Sequence, residues 1–282
     1  MSRPTRPTSV TEPVTEPPTG PLASPPTPLT PAARRSPRGL GKLCRVELLL
    51  FLREPAAVFF TLVFPMAMLL FLGVAYGTEG NDGVRYIDEY VAHIVVTIAI
   101  NLGVLGVAIN IAECRASGVL RRYRLAPVPM WWFWFSQVVV GLLMFVLAVG
   151  ALLAVVGVAY GVLLASPAPF ALAVLVGLTF TFAVGVLLGS LDLPARSVQI
   201  TGTGLFFLLF LGSGAAIPRD SFPGWLETLT AFNPMSPVID ASVSAYLGRS
   251  MVGELWELAL VLVAAGALVV IARSKSTWEG NR

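Results

Sequence analysis

Residues 125–191 read LAPVPMWWFWFSQVVVGLLMFVLAVGALLAVVGVAYGVLLASPAPFALAVLVGLTFTFAVGVLLGSL, and none of these 67 positions is Asp, Glu, Lys, Arg or His. A soluble domain needs ionised groups on its surface and cannot carry such a run. A helix crosses a bilayer's hydrocarbon with about 20 apolar residues, each rising about 1.5 Å. The stretch therefore holds two crossings, joined by an uncharged turn at Gly161–Pro169 (GVLLASPAP). The chain belongs in a membrane, and its function has to be read as a membrane function.

The rest of the 282 residues agrees, with 56% hydrophobic residues, 12% charged and a mean hydropathy of +0.79. The expected class is an all-α integral membrane protein of six transmembrane helices. Span 1 is expected at about Ala57–Tyr76 with a kink at Pro65, and span 2 at about Val91–Ala112. Spans 3, 4 and 5 fall at Phe135–Val158, Phe170–Ser190 and Ser197–Ile217. The last charge-free run, Leu258–Ala272, is too short, so span 6 is started at Val252, which places Glu254 and Glu257 near one interface.

Four further segments flank or interrupt the spans. Residues 1–38 hold 11 of the 22 prolines and read as a disordered cytoplasmic tail, with no apolar core for a cleavable signal peptide. Residues 39–55 read as an amphipathic interfacial helix. Lys42, Arg45 and Arg53 lie within about 80° of one another at 100° per residue, Glu47 intrudes on the apolar side, and Leu49 and Leu52 intrude on the basic side. Between spans 5 and 6, Trp225, Leu226, Leu229 and Phe232 share one face, and a second short helix fits Val238–Leu247. Both read as re-entrant helices dipping into the outer leaflet. Residues 56–273 then form the transmembrane domain, and 274–282 a short cytoplasmic tail.

Orientation follows from Lys and Arg. With the N-terminus inside and six spans, 16 of the 19 basic residues lie inside, leaving Arg85, Arg219 and Arg249 outside. Both termini are therefore expected in the cytoplasm. Trp131, Trp132 and Trp134 form a belt at that boundary, and Cys44 and Cys114 stay reduced.

Several chemistries lack their residues. The lysines, Lys42 and Lys275, stand in no phosphate-cradling loop, so ATP hydrolysis by this chain is not expected. The single histidine, His93, is expected as an interfacial polar residue, and no His/Cys cluster has metal-ligand spacing. Spans 1 to 5 contain no mid-membrane acid or base for ion coupling. Their amides, Asn101, Asn110, Gln137 and Gln199, fit bonds between helices more readily than a pathway. The pairs Gly73/Gly77, Gly157/Gly161 and Gly185/Gly189 support close helix packing only weakly. A transporter built this way needs an outside motor. The charged segment between spans 2 and 3, Glu113–Pro129, is where one could attach, and it also fits a plain topology signal.

Three places in this order resemble the permease subunit of type-2 ABC transporters, the group that includes drug-resistance exporters such as the daunorubicin permease. Glu47 followed by Arg53-Glu54-Pro55 resembles the family's entry to span 1. Glu113, Gly118, Leu120, Arg121, Arg124, Pro127, Val128 and Pro129 resemble its loop between spans 2 and 3, with Val119 where Thr is common. Gly212-Ser-Gly-Ala-Ala-Ile-Pro218, Phe222-Pro223, Trp225-Leu226 and Asn233-Pro234 resemble its exit from span 5. The resemblance covers about residues 40–273. It implies that the 2–3 loop is a coupling helix seated in a separate ATPase subunit, through Glu113, Arg115, Gly118, Leu120, Arg121, Arg122, Tyr123, Arg124 and Pro127. It implies ATP and Mg on that partner and no cofactor on this chain. It also implies a homodimer or heterodimer with a second permease, membrane lipid as surroundings, no nucleic acid, and a place in a bacterial inner membrane. The implied activity is export of a drug-like or lipidic substrate. Alternatives are export of a polysaccharide or lipid-linked glycan, or a scaffold or immunity protein that transports nothing.

Overall fold

Among the described residues all regular structure is helical. The computed structural model describes residues 45, 48, 49, 53, 55–76, 86–118, 130–161, 164–215, 223, 224, 228, 230 and 232–275. Helix α1 runs from Pro55–Val58 through a π turn, Phe59–Val63, into Phe64–Tyr76. Pro65 explains the turn. It has no N–H, and its ring would press on the carbonyl four residues earlier. The wider turn takes up the misfit, with the Phe64 N–H bonding to the Phe59 carbonyl. The expected kink is thus a local change of helix type.

Helix α2 comprises Tyr86–Ile100, a π turn at Asn101–Val107, and Ala108–Ala116. It is followed by α3 (Met130–Tyr160), α4 (Pro167–Ser190), α5 (Ala195–Gly212), α6 (Ser236–Tyr246) and α7 (Leu255–Lys275). Five of these, α2, α3, α4, α5 and α7, are long and apolar enough to cross a membrane. The boundaries differ from expectation where caps decide them. Helix α5 stops at Gly212 rather than Ile217, because a turn at Ser213 and Gly214 follows. Helix α7 gains its length by running on to Lys275, which leaves Glu254 in the turn before the helix. Gly161 has φ +66° and closes α3, so Gly157/Gly161 is a helix ending and not a packing pair.

Helix α4 is the centre of the bundle, touching α2, α5, α6 and α7. Within its crossing 67% of residues are buried, against 17% in α5. An apolar helix buried on nearly every side is a core helix. Its tightest seam is with α2. The sequence separation of contacting residues stays nearly constant, at 82 for Ala99–Thr181 and 78 for Arg115–Leu193, so the two helices run parallel. At Gly185 an added Cβ would collide with the backbone oxygen of Gly103, and at Gly189 it would lie 2.8 Å from the Ile111 Cβ. Thr181, fully buried beside Gly103, donates to the Ala99 carbonyl at 3.0 Å and the Leu178 carbonyl at 3.1 Å. In lipid, backbone approach through small residues and hydrogen bonds between helices take over from hydrophobic burial. The Gly185/Gly189 pair is therefore a structural seam.

Helix α7 shows the opposite pattern. It buries a narrow stripe, Leu258, Val261, Ala265 and Ala272, while Leu260, Val263 and Val270 are exposed. On α1, Phe71 and Val74 are likewise exposed. Apolar faces this extensive suit a hydrocarbon solvent. Before α1, Leu48 packs on the core while Arg45, Leu49 and Arg53 are exposed. Lys42 and Glu47, the tail 1–38, most of the first outer helix, and 276–282 lie outside the described residues.

Candidate functional site

Of the charged residues singled out between spans 2 and 3, Glu113 and Arg115 are described, both in the last turns of α2. Helix α2 closes there with Glu113 and Ala116 exposed. The Ser117 N–H and Oγ both donate to the Glu113 carbonyl at 2.8 Å. Gly118 then takes φ +71°, and its N–H reaches the Arg115 carbonyl at 3.1 Å. An added Cβ at Gly118 would meet nothing within 4 Å, so conformation, not crowding, makes glycine fit. Leu120, Arg121, Arg122, Tyr123, Arg124 and Pro127 lie outside the described residues.

The two helices that flank this segment are joined just beneath it. Asn110 of α2 donates through Nδ2 to Gln137 Oε1 of α3 at 2.9 Å, and Cys114 Sγ donates to Asn110 Oδ1 at 3.4 Å. Cys114 is half-buried. Gln137 is 4% exposed, and its Nε2 and the Trp134 Nε1 are buried without an acceptor among the described residues. Two of the intramembrane amides thus bond helix to helix.

Arg115 is half-buried. Its guanidinium donates through one Nη to the Leu191 carbonyl and through the other to the Leu193 carbonyl at 2.6 Å. These carbonyls belong to the turn between α4 and α5. The turn is itself folded tightly, with the Leu193 N–H on the Leu191 carbonyl at 2.8 Å. A planar guanidinium matches two carbonyls at once, as an ammonium does not. Its charge also sits at the C-terminal, negative end of α4, and Asp192 adds an attractive charge. Sequence pattern grouped Arg115 with the loop's other arginines; the structure joins it to the α4–α5 turn.

At the opposite end Asn233 holds α5 to α6. Its Nδ2 donates to the Leu208 and Leu209 carbonyls at 3.2 Å each, and its Oδ1 accepts the Met235 N–H at 2.9 Å. Gly212 leaves room for it, since a Cβ there would stand 2.8 Å from Asn233 Nδ2. His93 is buried within the bundle. It stacks on Tyr90 at 5.6 Å, and its Nδ1 lies 3.0 Å from the Glu89 carbonyl. Glu254 is half-buried, with Ser244 Oγ donating to it at 3.4 Å.

The family model of the ABC-2 type transporter matches residues 40–247, well over half of the chain. The chain belongs to the ABC-2 type transporter family. The match takes in α1 to α6 and both ends of the bundle described above, while α7 lies beyond it. Among curated proteins no relative matches. An ABC-2 membrane domain is a multi-pass permease component of a transporter and is not itself catalytic. Members of this family typically work with an ABC ATPase, which fixes the kind of partner for this ABC-2 chain. Asn233 and Arg115 show what sequence reading missed. Asn233 was visible only as half of an Asn-Pro pair. The partners of Arg115 are backbone carbonyls, which leave no mark in a sequence.

Proposed function

We propose that this chain is the transmembrane subunit of an ATP-driven exporter that carries a drug-like or lipidic substrate out of the cytoplasm. ATP and Mg are handled by a separate ATPase subunit, and the segment Glu113–Pro129 receives its motion. The observation that carries the reading is the construction around that segment. Its base is fastened to α3 by Asn110–Gln137 and to the α4–α5 turn by Arg115, so a push on it reaches four helices. A simple topology signal needs no such bonds. The test is pull-down of the ATPase plus efflux for Gly118→Trp, Leu120→Ala, Tyr123→Ala and Arg122→Ala. A packed aromatic or aliphatic anchor contributes about 2 kcal/mol or more, and an exposed charge pair about 1 kcal/mol or less. Tyr123→Ala or Leu120→Ala should therefore lower export more than Arg122→Ala does. Gly118→Asn should retain more activity than Gly118→Trp, because Asn tolerates positive φ. Normal binding and export in all four original variants would leave the loop a topology signal.

In this reading α1 supplies the sixth crossing, and both termini lie in the cytoplasm of a bacterial inner membrane. An impermeant thiol reagent applied outside intact cells should label a cysteine at position 228 but not one at position 20. Labelling of position 20 would overturn the orientation. A second permease is expected against α5. Gln199 and Thr203 are exposed there, one turn apart, beside exposed Ile200 and Phe207. An amide in a crossing is poorly placed against lipid, which supports a protein neighbour at this face.

A further inference from the structure

We propose that Arg115 is a positioning residue that carries movement of the coupling segment into α4 and α5, rather than a contact for the ATPase. The inference rests on the coupling reading above and adds a route to it. Four observations point the same way. The guanidinium spends its donors on the Leu191 and Leu193 carbonyls, in the turn that joins α4 to α5. The turn between those carbonyls is closed by its own hydrogen bond and enters α5 at once, with the Ser197 and Val198 N–H groups on the Pro194 carbonyl at 2.9 and 3.1 Å. Gly118, three residues after Arg115, closes α2 in a left-handed turn, so the clamp sits on the last helical turn before the chain changes direction. Helix α5 has only 17% of its crossing buried within this chain, so the chain's own helices cover few of its side chains. A rigid turn gripped at two carbonyls follows the gripping residue; a helix loosely packed along its length follows its gripped end.

The experiment uses the full chain with its ATPase in vesicles of phosphatidylethanolamine and phosphatidylglycerol. Spin labels are placed on cysteines at Ala116, Leu193 and Val252, pair by pair, in a background carrying Cys44→Ser and Cys114→Ser. All three labelled positions are exposed, and the clamp uses the backbone of Leu193, not its side chain. Distances are compared without nucleotide and after trapping with ATP and vanadate. With Arg115 present, the 116–252 distance should change on trapping while the 116–193 distance stays constant. In Arg115→Ala the 116–193 distribution should broaden, with the undocked population rising about tenfold, because hydrogen bonds from a charged group are lost. Arg115→Lys should fall between the two, since an ammonium lacks the planar fork. Asp192→Asn, which keeps both carbonyl bonds, should behave as the parent.

Thermal stability and ATPase pull-down are measured on each variant. An Arg115→Ala protein that is folded, bound to the ATPase and still constant in its 116–193 distance overturns the proposal. So does equal loss in Asp192→Asn and Arg115→Ala. If the parent shows no 116–252 change on trapping, the coupling reading itself fails, and the route falls with it. These failures are distinct, because only the last is seen in the parent protein.

Discussion

Gly185→Ala should yield much less folded protein, with a lower melting temperature in detergent. The added methyl would strike the backbone oxygen of Gly103, and backbone cannot swing aside as a side chain can. Overpacking a tight site costs about 1–3 kcal/mol. Here the upper end applies, because relief requires α2 and α4 to separate. Separation would also strain the Thr181 bond to Ala99, which crosses the same seam. Gly189→Ala should be milder, since its Cβ would stand 2.8 Å from the Ile111 Cβ and 3.0 Å from the Ala108 carbonyl oxygen, a smaller overlap than at Gly185. Gly204→Ala, on α5, is the control, because a Cβ added there would meet nothing within 4 Å. Melting temperatures of the three purified variants test the order. A Gly185→Ala protein as stable as Gly204→Ala would mean that α2 and α4 do not meet at this glycine.

Asn233→Ala should release the C-terminal end of α5. The change removes two donated bonds and one accepted bond, each worth about 0.5–1.5 kcal/mol net. The expected loss is about 2–3 kcal/mol, with faster proteolysis between α5 and α6. Asn233→Asp should be at least as damaging. It keeps an acceptor for the Met235 N–H but turns a carboxylate oxygen toward the Leu208 and Leu209 carbonyls. Gly212→Ala should act on the same contact by crowding Asn233 Nδ2. Two changes that break one contact do not add. The double variant should therefore be little worse than the more damaging single one. Full additivity in melting temperature would show that Gly212 and Asn233 act independently.

The class of fold was legible because hydrocarbon imposes a simple demand. Charge-free runs of about 20 residues can be read without knowing any contact. Which side of each run faces protein could not be read the same way. Helices α4 and α7 are both apolar around their whole circumference, yet one is buried on nearly every side and the other along a stripe. The family was legible from ordered short motifs, two of which now have physical causes in Gly118 and Asn233. The clamp was not legible. Arg115 is one of several basic residues in its stretch, and its acceptors lie 76 and 78 residues away on main-chain atoms. Nor could composition separate Gly157/Gly161, a helix ending, from Gly185/Gly189, a seam, since both have the same spacing.

The π turn in α2 has a consequence for how this helix tolerates length changes. Each residue added to an α-helix advances the direction of everything after it by about 100°. The turn at Asn101–Val107 is one residue wider than an α turn, and Asn110, Cys114 and Arg115 all lie downstream of it. Their compass bearing toward Gln137 and the Leu191 carbonyl is therefore set by the residue count within the turn, not by their own neighbours. The upper half of the helix, which carries Val91, Val95 and Ile98 into the core, keeps its bearing whatever happens below. Asn101–Val107 thus serves as a phase shifter: a one-residue insertion or deletion there leaves the upper half in place and swings the lower half's polar contacts away from their partners.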